Sequence, residues 1–288
     1  MAWYLTEDLD EYLAAAGDFL RSRPVAHTVL LTSVDGLHAG GRSYDPSPPR
    51  CGWWGTADGT VTGAFLQTPP SLVLLTGMPE PAAEALPAAL TAADWPVPGV
   101  AGGSAVVTGF AAAWRRHTGT EPRIQMRQRL YSLEKLTPPL PAPPGAARVA
   151  TVADRDLLLA WYEAFAEEAG AVGGVQTSMI DDRLSHGGLT LWEVDGTPVA
   201  MGGQTRVVAG MARVVPIYTP PEQRRRGFAA AVTAAVSQAS LDAGARDVLL
   251  FTDLDNPTSN SVYQRVGYRP VDDYLLLSLS NGAPATSA

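Results

Sequence analysis

The sequence has 288 residues, of which 46% are hydrophobic, and a formal net charge of −8 at pH 7. This length predicts two domains, because single cores stop growing near roughly 250–300 residues. The acidic balance argues against a nucleic-acid partner, which needs a basic face, but allows a small anionic cofactor bound by a local basic cluster. No apolar run reaches the roughly 20 residues of a membrane span, and the acidic N-terminus lacks a signal-peptide pattern. We therefore expect a cytoplasmic protein without a membrane partner.

The sequence shows no pattern for metal or disulfide chemistry. Cys51 is the single cysteine, so no disulfide can form within the chain and no cysteine zinc site exists. The four histidines are scattered without the spacing of metal ligands. We expect no metal cofactor.

A proline-rich stretch divides the chain into two parts of similar length. Five prolines occur in the twelve residues from Leu136 to Ala147, and such a segment is extended and semi-rigid. The predicted organisation is an N-terminal domain over 1–135, a linker over 136–147, a second domain over 148–280 and a disordered tail over 281–288. The sequence leaves the oligomeric state open between monomer and homodimer.

The N-terminal half predicts a mixed α/β order. Its expected elements are a helix over Asp8–Arg21, a strand over Val29–Thr32, a turn at Asp58-Gly59, an apolar run over Ser71–Thr76, a helix over Ala82–Ala93, and a helix or strand over Ala105–Ala113.

The C-terminal half gives clearer signals, in the order αββ(β)αβαβ. Its expected elements are a helix from Thr151 or Asp154 to about Gly170, strands over Leu189–Val194, Val199–Val208 and Ala212–Thr219, a helix over Arg226–Ala243, a strand over Val248–Thr252, a helix over Thr258–Val266, and a strand over Tyr274–Leu279. Asp195-Gly196 predicts a hairpin turn between the first two strands.

The first motif that carries chemistry lies between a predicted strand and a predicted helix. It reads Arg224-Arg225-Arg226-Gly227-Phe228-Ala229. A helix N-terminus offers unpaired backbone N–H groups and the positive end of the helix dipole, which suit a phosphate or pyrophosphate. Gly227 permits close approach of the ligand, and arginines add charge-assisted bonds. A solvated basic turn explains the same residues.

The second motif follows the next predicted strand. Asn256 precedes a short helix that contains Tyr263 and ends at Gly267-Tyr268. Asn256 is placed to cap the helix or to bond a ligand amide, and Tyr263 to donate a proton to a leaving thiolate. A cap and a packed tyrosine are the alternative.

Together the two motifs resemble the GNAT N-acyltransferase superfamily, with the FR47-like branch as the nearest. The matching residues are Arg224-x-x-Gly227-x-Ala229, Asn256, Tyr263 and Gly267-Tyr268. The resemblance implies an α/β fold (an α+β mixed sheet) whose central strands splay apart in the C-terminal half. It also implies that the smaller N-terminal α/β domain is a degenerate GNAT-like repeat.

The resemblance further implies an acyl-CoA co-substrate, most often acetyl-CoA, and a primary amine of a small molecule or peptide as acceptor. Tyr263 would be the catalytic acid. The cofactor-binding residues would be Ile217, Tyr218, Thr219, Arg224, Arg225, Arg226, Gly227, Phe228, Ala229, Ala230, Asn256 and Ser259. A non-catalytic CoA-binding sensor or regulatory module is the alternative function.

The general base has no clear signature. Candidates for the base or for acceptor binding are Glu163, Glu167, Glu193 and Asp253, with Glu168 and Glu222 in the same regions. The N-terminal half has Met78-Pro79-Glu80-Pro81 at the place comparable to the first motif. Proline and glutamate there would spoil a pyrophosphate site, so we expect that half to shape the acceptor pocket.

Overall fold

The computed structural model describes residues 1–38, 47–169 and 177–279. Residue Gly170, the expected end of one helix, and the expected disordered tail over 281–288 lie outside the described residues.

The chain divides into two compact units. Unit 1 contains residues 1–129 and the segment that begins at Asp272, and unit 2 contains Leu130–Val271. These bounds differ from the predicted domains, because the segment 136–147 lies within unit 2 and the last strand contributes to unit 1. Whether each half folds as a domain of its own remains a prediction.

The described residues of unit 1 form four helices and a sheet. Its elements are β1 (Ala2–Thr6), α1 (Leu9–Ser22), α2 (Thr28–His38), β2 (Arg50–Gly55), β3 (Val61–Gln67), β4 (Val73–Leu75), α3 (Glu80–Ala92), β5 (Gly99–Gly103), α4 (Ser104–Thr118) and the first part of β6 (Arg123–Leu133). Residues 274–278 of the chain's last strand pair with β5.

Unit 2 contains the elements that carry both motifs. They are the end of β6, β7 (Ala146–Val149), α5 (Arg155–Glu168), α6 (Thr177–Ser185), β8 (Leu189–Val194), β9 (Thr197–Gln204), β10 (Met211–Tyr218), α7 (Phe228–Asp242), β11 (Asp247–Asp253), α8 (Pro257–Val266) and the start of β12 (Tyr268–Ser278). The strands run in the order β6-β11-β10-β9-β8-β7.

One predicted strand in the N-terminal half is wrong. Val29–Thr32 lies inside helix α2 instead. Leu30, Leu31 and Val34 are all buried, and the Thr32 hydroxyl donates to the Thr28 carbonyl 2.9 Å away. The short β-branched run suggested a strand, but burial on one helical face outweighed that weak local preference.

The other predicted elements have counterparts, although β9 ends at Gln204 instead of Val208 and β12 begins at Tyr268 instead of Tyr274. The ambiguous segment Ala105–Ala113 is helical and lies within α4. On α5, Leu158 and Tyr162 are buried, whereas Trp161 and Phe165 are partly exposed. Asp195 and Gly196 both have positive φ, 50° and 77°, as the tight turn between β8 and β9 requires.

Two central strands of unit 2 separate along their length. β10 pairs in parallel with β11 from Met211 to Arg213, and no pairing of their described residues follows. On its other side β10 pairs with β9, with an irregularity between Val214 and Ile217. Pro216 lies in that interval and has no N–H to give to a ladder. The splay leaves the C-terminal part of β10 open on its β11 side.

The proline-rich segment packs against unit 2. The Thr137 N–H donates to the Val266 carbonyl at 2.8 Å, and the Trp192 indole N–H donates to the Pro144 carbonyl at 2.9 Å. Pro143 lies in ordinary van der Waals contact with the place where a Cβ on Gly227 would be. The segment therefore lies beside the loop that carries the first motif.

Candidate active site

A pocket of about 660 Å³ opens where β10 and β11 splay apart, and it belongs wholly to unit 2. Among the described residues, its wall is formed by the end of α5, the end of β10, the loop that leads into α7 with the start of that helix, and one face of α8. The residues that line it are Phe165, Glu168, Ala169, Ile217, Tyr218, Thr219, Gln223, Arg224, Arg225, Gly227, Phe228, Ala229, Ala230, Asn256, Thr258, Ser259, Val262, Tyr263 and Arg265. Eleven of the twelve residues expected to bind the cofactor, and Tyr263, are among them.

The start of α7 presents backbone donors to this pocket. Gly227 is the N-cap of α7 and has a φ of 86°, a backbone conformation in which any residue with a side chain is strained. Arg225 also has a positive φ, 65°, and adopts it in spite of its side chain. The first helical hydrogen bond runs from the Ala231 N–H to the Gly227 carbonyl at 3.1 Å. The N–H groups of the three residues before Ala231 therefore have no partner within the helix, and an anion could accept from them.

The three motif arginines have different surroundings. Arg224 donates from Nη2 to both carboxylate oxygens of Glu168, at 2.7 and 2.6 Å, and from Nε to the Thr219 carbonyl at 2.9 Å. Arg226 does not line the pocket, since its guanidinium stacks on the Phe228 ring at 4.9 Å. Arg225 lines the pocket and has no ion pair with any described residue. Arg225 is thus the motif cation left for a ligand.

The second motif supplies both a helix cap and a wall of the pocket. The Asn256 side chain accepts from the Ser259 N–H at 3.0 Å, so the capping role is present. Asn260 fixes the same turn, because its Nδ2 donates to the Asp253 and Asn256 carbonyls, each at 2.8 Å. Asn256 and Ser259 both line the pocket.

Tyr263 lines the pocket and packs, partly buried, against the core of unit 2. Its ring packs edge-on against the ring of Tyr268, with 6.3 Å between the ring centroids. Burial raises the pKa of Tyr263 to about 12, so the hydroxyl keeps its proton at neutral pH. A protonated phenol that lines a pocket has the form that a general acid requires.

Thr219 adds a polar group without a partner. Its hydroxyl is buried, lines the pocket and has no hydrogen-bond partner among the described residues. A buried unpaired hydroxyl costs free energy, so its presence beside an open strand end fits a ligand that supplies the missing bond. The hydroxyl of Thr219, the N–H groups at the start of α7 and the Arg225 guanidinium therefore fit a pantetheine arm and the pyrophosphate that follows it.

Of the carboxylates considered as base or acceptor group, Glu168 alone among the described residues lines the pocket. Glu163 and Glu167 are exposed on α5, and Glu222 is exposed beside the loop. Glu193 accepts from Arg148 at 2.7 Å, away from the pocket lining. Asp253 accepts from the Asp255 N–H at 2.9 Å. The structure does not bring these other carboxylates together with Tyr263.

The comparable place in unit 1 has a different chemistry. α3 begins at Glu80, its N-cap is Pro79, and Pro81 lies in its first turn. Both prolines lack an N–H, and the glutamate would repel an anion. These residues do not form a counterpart to the donors at the start of α7.

Sequence reasoning missed Arg265 and Phe165 as pocket residues. Arg265 continues the i, i+4, i+7 series of Thr258 and Val262 on α8, and that spacing was visible in the sequence. Within the described ranges no group of His, Cys, Asp or Glu has the arrangement of a metal site, and no helix is long and apolar enough to cross a membrane.

The chain is similar to known proteins in part of its sequence and in its fold. Residues 199–276 match the family model described as FR47-like protein. No curated protein matched the chain by sequence.

Among solved structures, a GCN5-related N-acetyltransferase from Sphaerobacter thermophilus is similar, with a TM-score of 0.62 and 17% identity over 98% of this chain and 97% of that one. A GNAT-family acetyltransferase from Colwellia psychrerythraea has a TM-score of 0.60 and 12% identity over 97% and 100%. A tandem GNAT protein from the clavulanic acid biosynthesis pathway has a TM-score of 0.58 and 11% identity over 98% and 100%.

These identities establish similarity of fold, and they extend over nearly all of this chain, including the N-terminal half. Residues 199–276, which contain both motifs, carry the match to the family model. The chain therefore has a fold similar to that of GNAT acetyltransferases, and its residues 199–276 match the FR47-like family model.

Proposed function

We propose that the protein is an acyl-CoA-dependent N-acyltransferase, with acetyl-CoA as the expected donor and a primary amine of a small molecule or peptide as acceptor. The observation that carries the proposal is the single pocket that joins the open end of β10, the unpaired N–H groups at the start of α7, and the Tyr263 hydroxyl. Each of the three suits one part of an acyl-CoA thioester.

The proposed binding mode uses the chain's own donors. The N–H groups of Phe228, Ala229 and Ala230, with the Arg225 guanidinium, hold the pyrophosphate. The open side of β10 at Ile217–Thr219 pairs with the pantetheine arm as an added strand would. A backbone N–H of this strand polarises the thioester carbonyl, where negative charge develops during attack.

The proposed chemistry needs no covalent enzyme intermediate. The acceptor amine attacks the thioester carbon directly, so a C–N bond forms as the C–S bond breaks. Tyr263 gives its hydroxyl proton to the departing thiolate. The ammonium proton of the acceptor leaves to water or to a carboxylate of the protein.

The first experiment measures thermal unfolding with CoA and acetyl-CoA. A ligand present at about 100 times its dissociation constant stabilises the folded state by about 2.7 kcal/mol, so the melting temperature should rise clearly. Thiol release from acetyl-CoA is then followed with a panel of primary amines. Absence of any shift at millimolar ligand would refute the CoA assignment.

Binding without thiol release would favour the non-catalytic alternative. The position of Tyr263 in the pocket favours the enzyme, because a module that only binds CoA has no use for a proton donor there. Release of free CoA that depends on both an amine and Tyr263 would separate the two functions.

A further inference from the structure

The pocket has few charged residues, and only some of them form an ion pair. The described residues that line it include four with charged side chains: Glu168, Arg224, Arg225 and Arg265. The ion pair between Glu168 and Arg224, at 2.6 Å, cancels the charges of those two. Arg225 and Arg265 remain as two positive charges on different elements of the same pocket. This arrangement suits a ligand with two separate anionic groups.

Arg265 faces the pocket as part of a continuous face of α8. Thr258, Val262 and Arg265 are spaced i, i+4, i+7, which places them along one side of a helix. From Thr258 to Arg265 the helix rises by about 10 Å. The Arg265 guanidinium donates to the Ser261 hydroxyl one turn before it, which ties the side chain to the helix surface. Its charge has no carboxylate partner among the described residues.

The ligand in the proposed function carries two anionic groups of this kind. Coenzyme A has a pyrophosphate, and its ribose also carries a separate phosphate monoester at the 3′ position. Arg225 lies in the loop at the N-terminus of α7, where the pyrophosphate is expected. Arg265 lies on a different element, α8, and its positive charge is available to a second phosphate group.

We propose that Arg265 binds the ribose 3′-phosphate and thereby selects the donor. This inference rests on the proposed function and adds a specificity-determining residue to it. The enzyme then prefers free acyl-CoA over thioesters whose pantetheine arm ends in one phosphate group, such as acyl groups on a carrier protein. A structural role for Arg265 is also available, because a cation in the last turn of a helix interacts favourably with the helix dipole.

The test compares the affinity of the full chain for CoA and for 3′-dephospho-CoA, by calorimetry at fixed ionic strength. The wild type should bind CoA about tenfold more tightly, as expected for one charge-assisted phosphate contact. Arg265→Gln should bind both ligands with the dissociation constant that the wild type has for 3′-dephospho-CoA. Arg265→Lys should restore most of the preference. Arg269→Gln is the matched control, since Arg269 is exposed, pairs with Glu134 and does not line the pocket.

A helix-stabilising role would lower the melting temperature of Arg265→Gln without changing the ratio of the two affinities. A ratio that survives in Arg265→Gln, or a wild type that binds both ligands equally, overturns the inference and leaves the proposed function intact. A wild type that binds neither ligand overturns the proposed function and this inference together.

Discussion

Glu168 and Arg224 join the end of helix α5 to the loop before helix α7. Both oxygens of the carboxylate accept from Arg224 Nη2, and the same guanidinium bonds the Thr219 carbonyl at the end of β10. Glu168 is the last residue of α5, where the negative end of the helix dipole disfavours a carboxylate. Arg224 offsets that cost. The pair therefore holds three parts of the pocket wall together.

This pairing predicts that the adjacent arginines differ in their effect on CoA binding. Arg224→Gln should weaken CoA binding by less than about fivefold, because an exposed ion pair contributes about 0.2–1 kcal/mol. Arg225→Gln should weaken it by at least about tenfold, because a direct hydrogen bond to a charged group is worth about 1.5–3 kcal/mol. Titration calorimetry with CoA checks both variants. Equal losses would show that Arg224 itself contacts the ligand.

Substitution of Gly227 should abolish CoA binding beyond any effect that it has on the stability of the fold. Gly227→Glu places a carboxylate and a strained φ at the expected pyrophosphate position, so CoA binding should fall by at least about a hundredfold. Gly244→Glu is the matched control, because Gly244 also has positive φ, 92°, and has open space around its Cβ position after α7. Both variants should unfold at a lower temperature than the wild type, and only Gly227→Glu should lose the shift that CoA produces.

Removal of the Tyr263 hydroxyl should lower turnover without weakening CoA binding. Tyr263→Phe should lower kcat by about a hundredfold or more and leave the dissociation constant of CoA unchanged, since the ring and its packing remain. Tyr268→Phe is the control, because that buried tyrosine donates to or accepts from Ser237 and does not line the pocket. Steady-state thiol release checks both. Unchanged kcat in Tyr263→Phe would remove it as the acid.

The raised pKa of Tyr263 also predicts a pH dependence of stability. The folded pKa of about 12 lies above the ordinary value of about 10. The contribution of this group to the free energy of unfolding is therefore complete below pH 10, and it is lost as the pH rises toward 12. Denaturant unfolding between pH 9 and about 12 should show a smaller decline for Tyr263→Phe than for the wild type.

An ion-pair network at the start of unit 2 predicts acid sensitivity. Arg148 donates to both oxygens of Asp154, at 2.8 and 2.9 Å, and holds the pKa of that carboxyl well below its usual range. The stabilisation is present above pH 4 and is lost as the pH falls through the depressed pKa. Asp154→Asn should lower the free energy of unfolding at pH 7 by about 1–3 kcal/mol.

Asp181→Asn provides the comparison for that variant. Asp181 also forms a two-fold pair with an arginine, Arg155, at 2.6 and 2.9 Å, but its side chain is 50% exposed against 13% for Asp154. Solvent screening should make its effect clearly smaller than that of Asp154→Asn. Urea unfolding at pH 7 checks both, and an equal loss in the two variants would contradict the role given to burial.

The sequence allowed most of unit 2 to be predicted, because its motifs are local. The loop at Gly227 and the cap at Asn256 depend on spacing within one turn, and the structure brings both to one pocket. The Glu168–Arg224 pair joins residues 56 positions apart, and no local pattern indicates it. The helix over Thr28–His38 was missed because burial by neighbouring elements, and not propensity, decides a short apolar run.

Strands β1, β5, β6 and β7 were not predicted, and the signal of β6 is local. Ile124, Met126 and Leu130 alternate with polar residues along β6, which is the period of a strand. The roles of the individual pocket residues, and the base above all, stay predictions, because a fold brings groups together without stating which of them reacts.

The chain order of the strands has a consequence for synthesis on the ribosome. β5 in unit 1 pairs with residues 274–278, which are translated after all of unit 2. Until those residues leave the ribosome, the outer edge of β5 has backbone groups without a strand partner, and such edges invite aggregation. Synthesis of unit 1 therefore starts first, but its sheet is completed last. A premature stop codon shortly before residue 274 would remove a strand from unit 1, although most of that unit lies at the other end of the sequence.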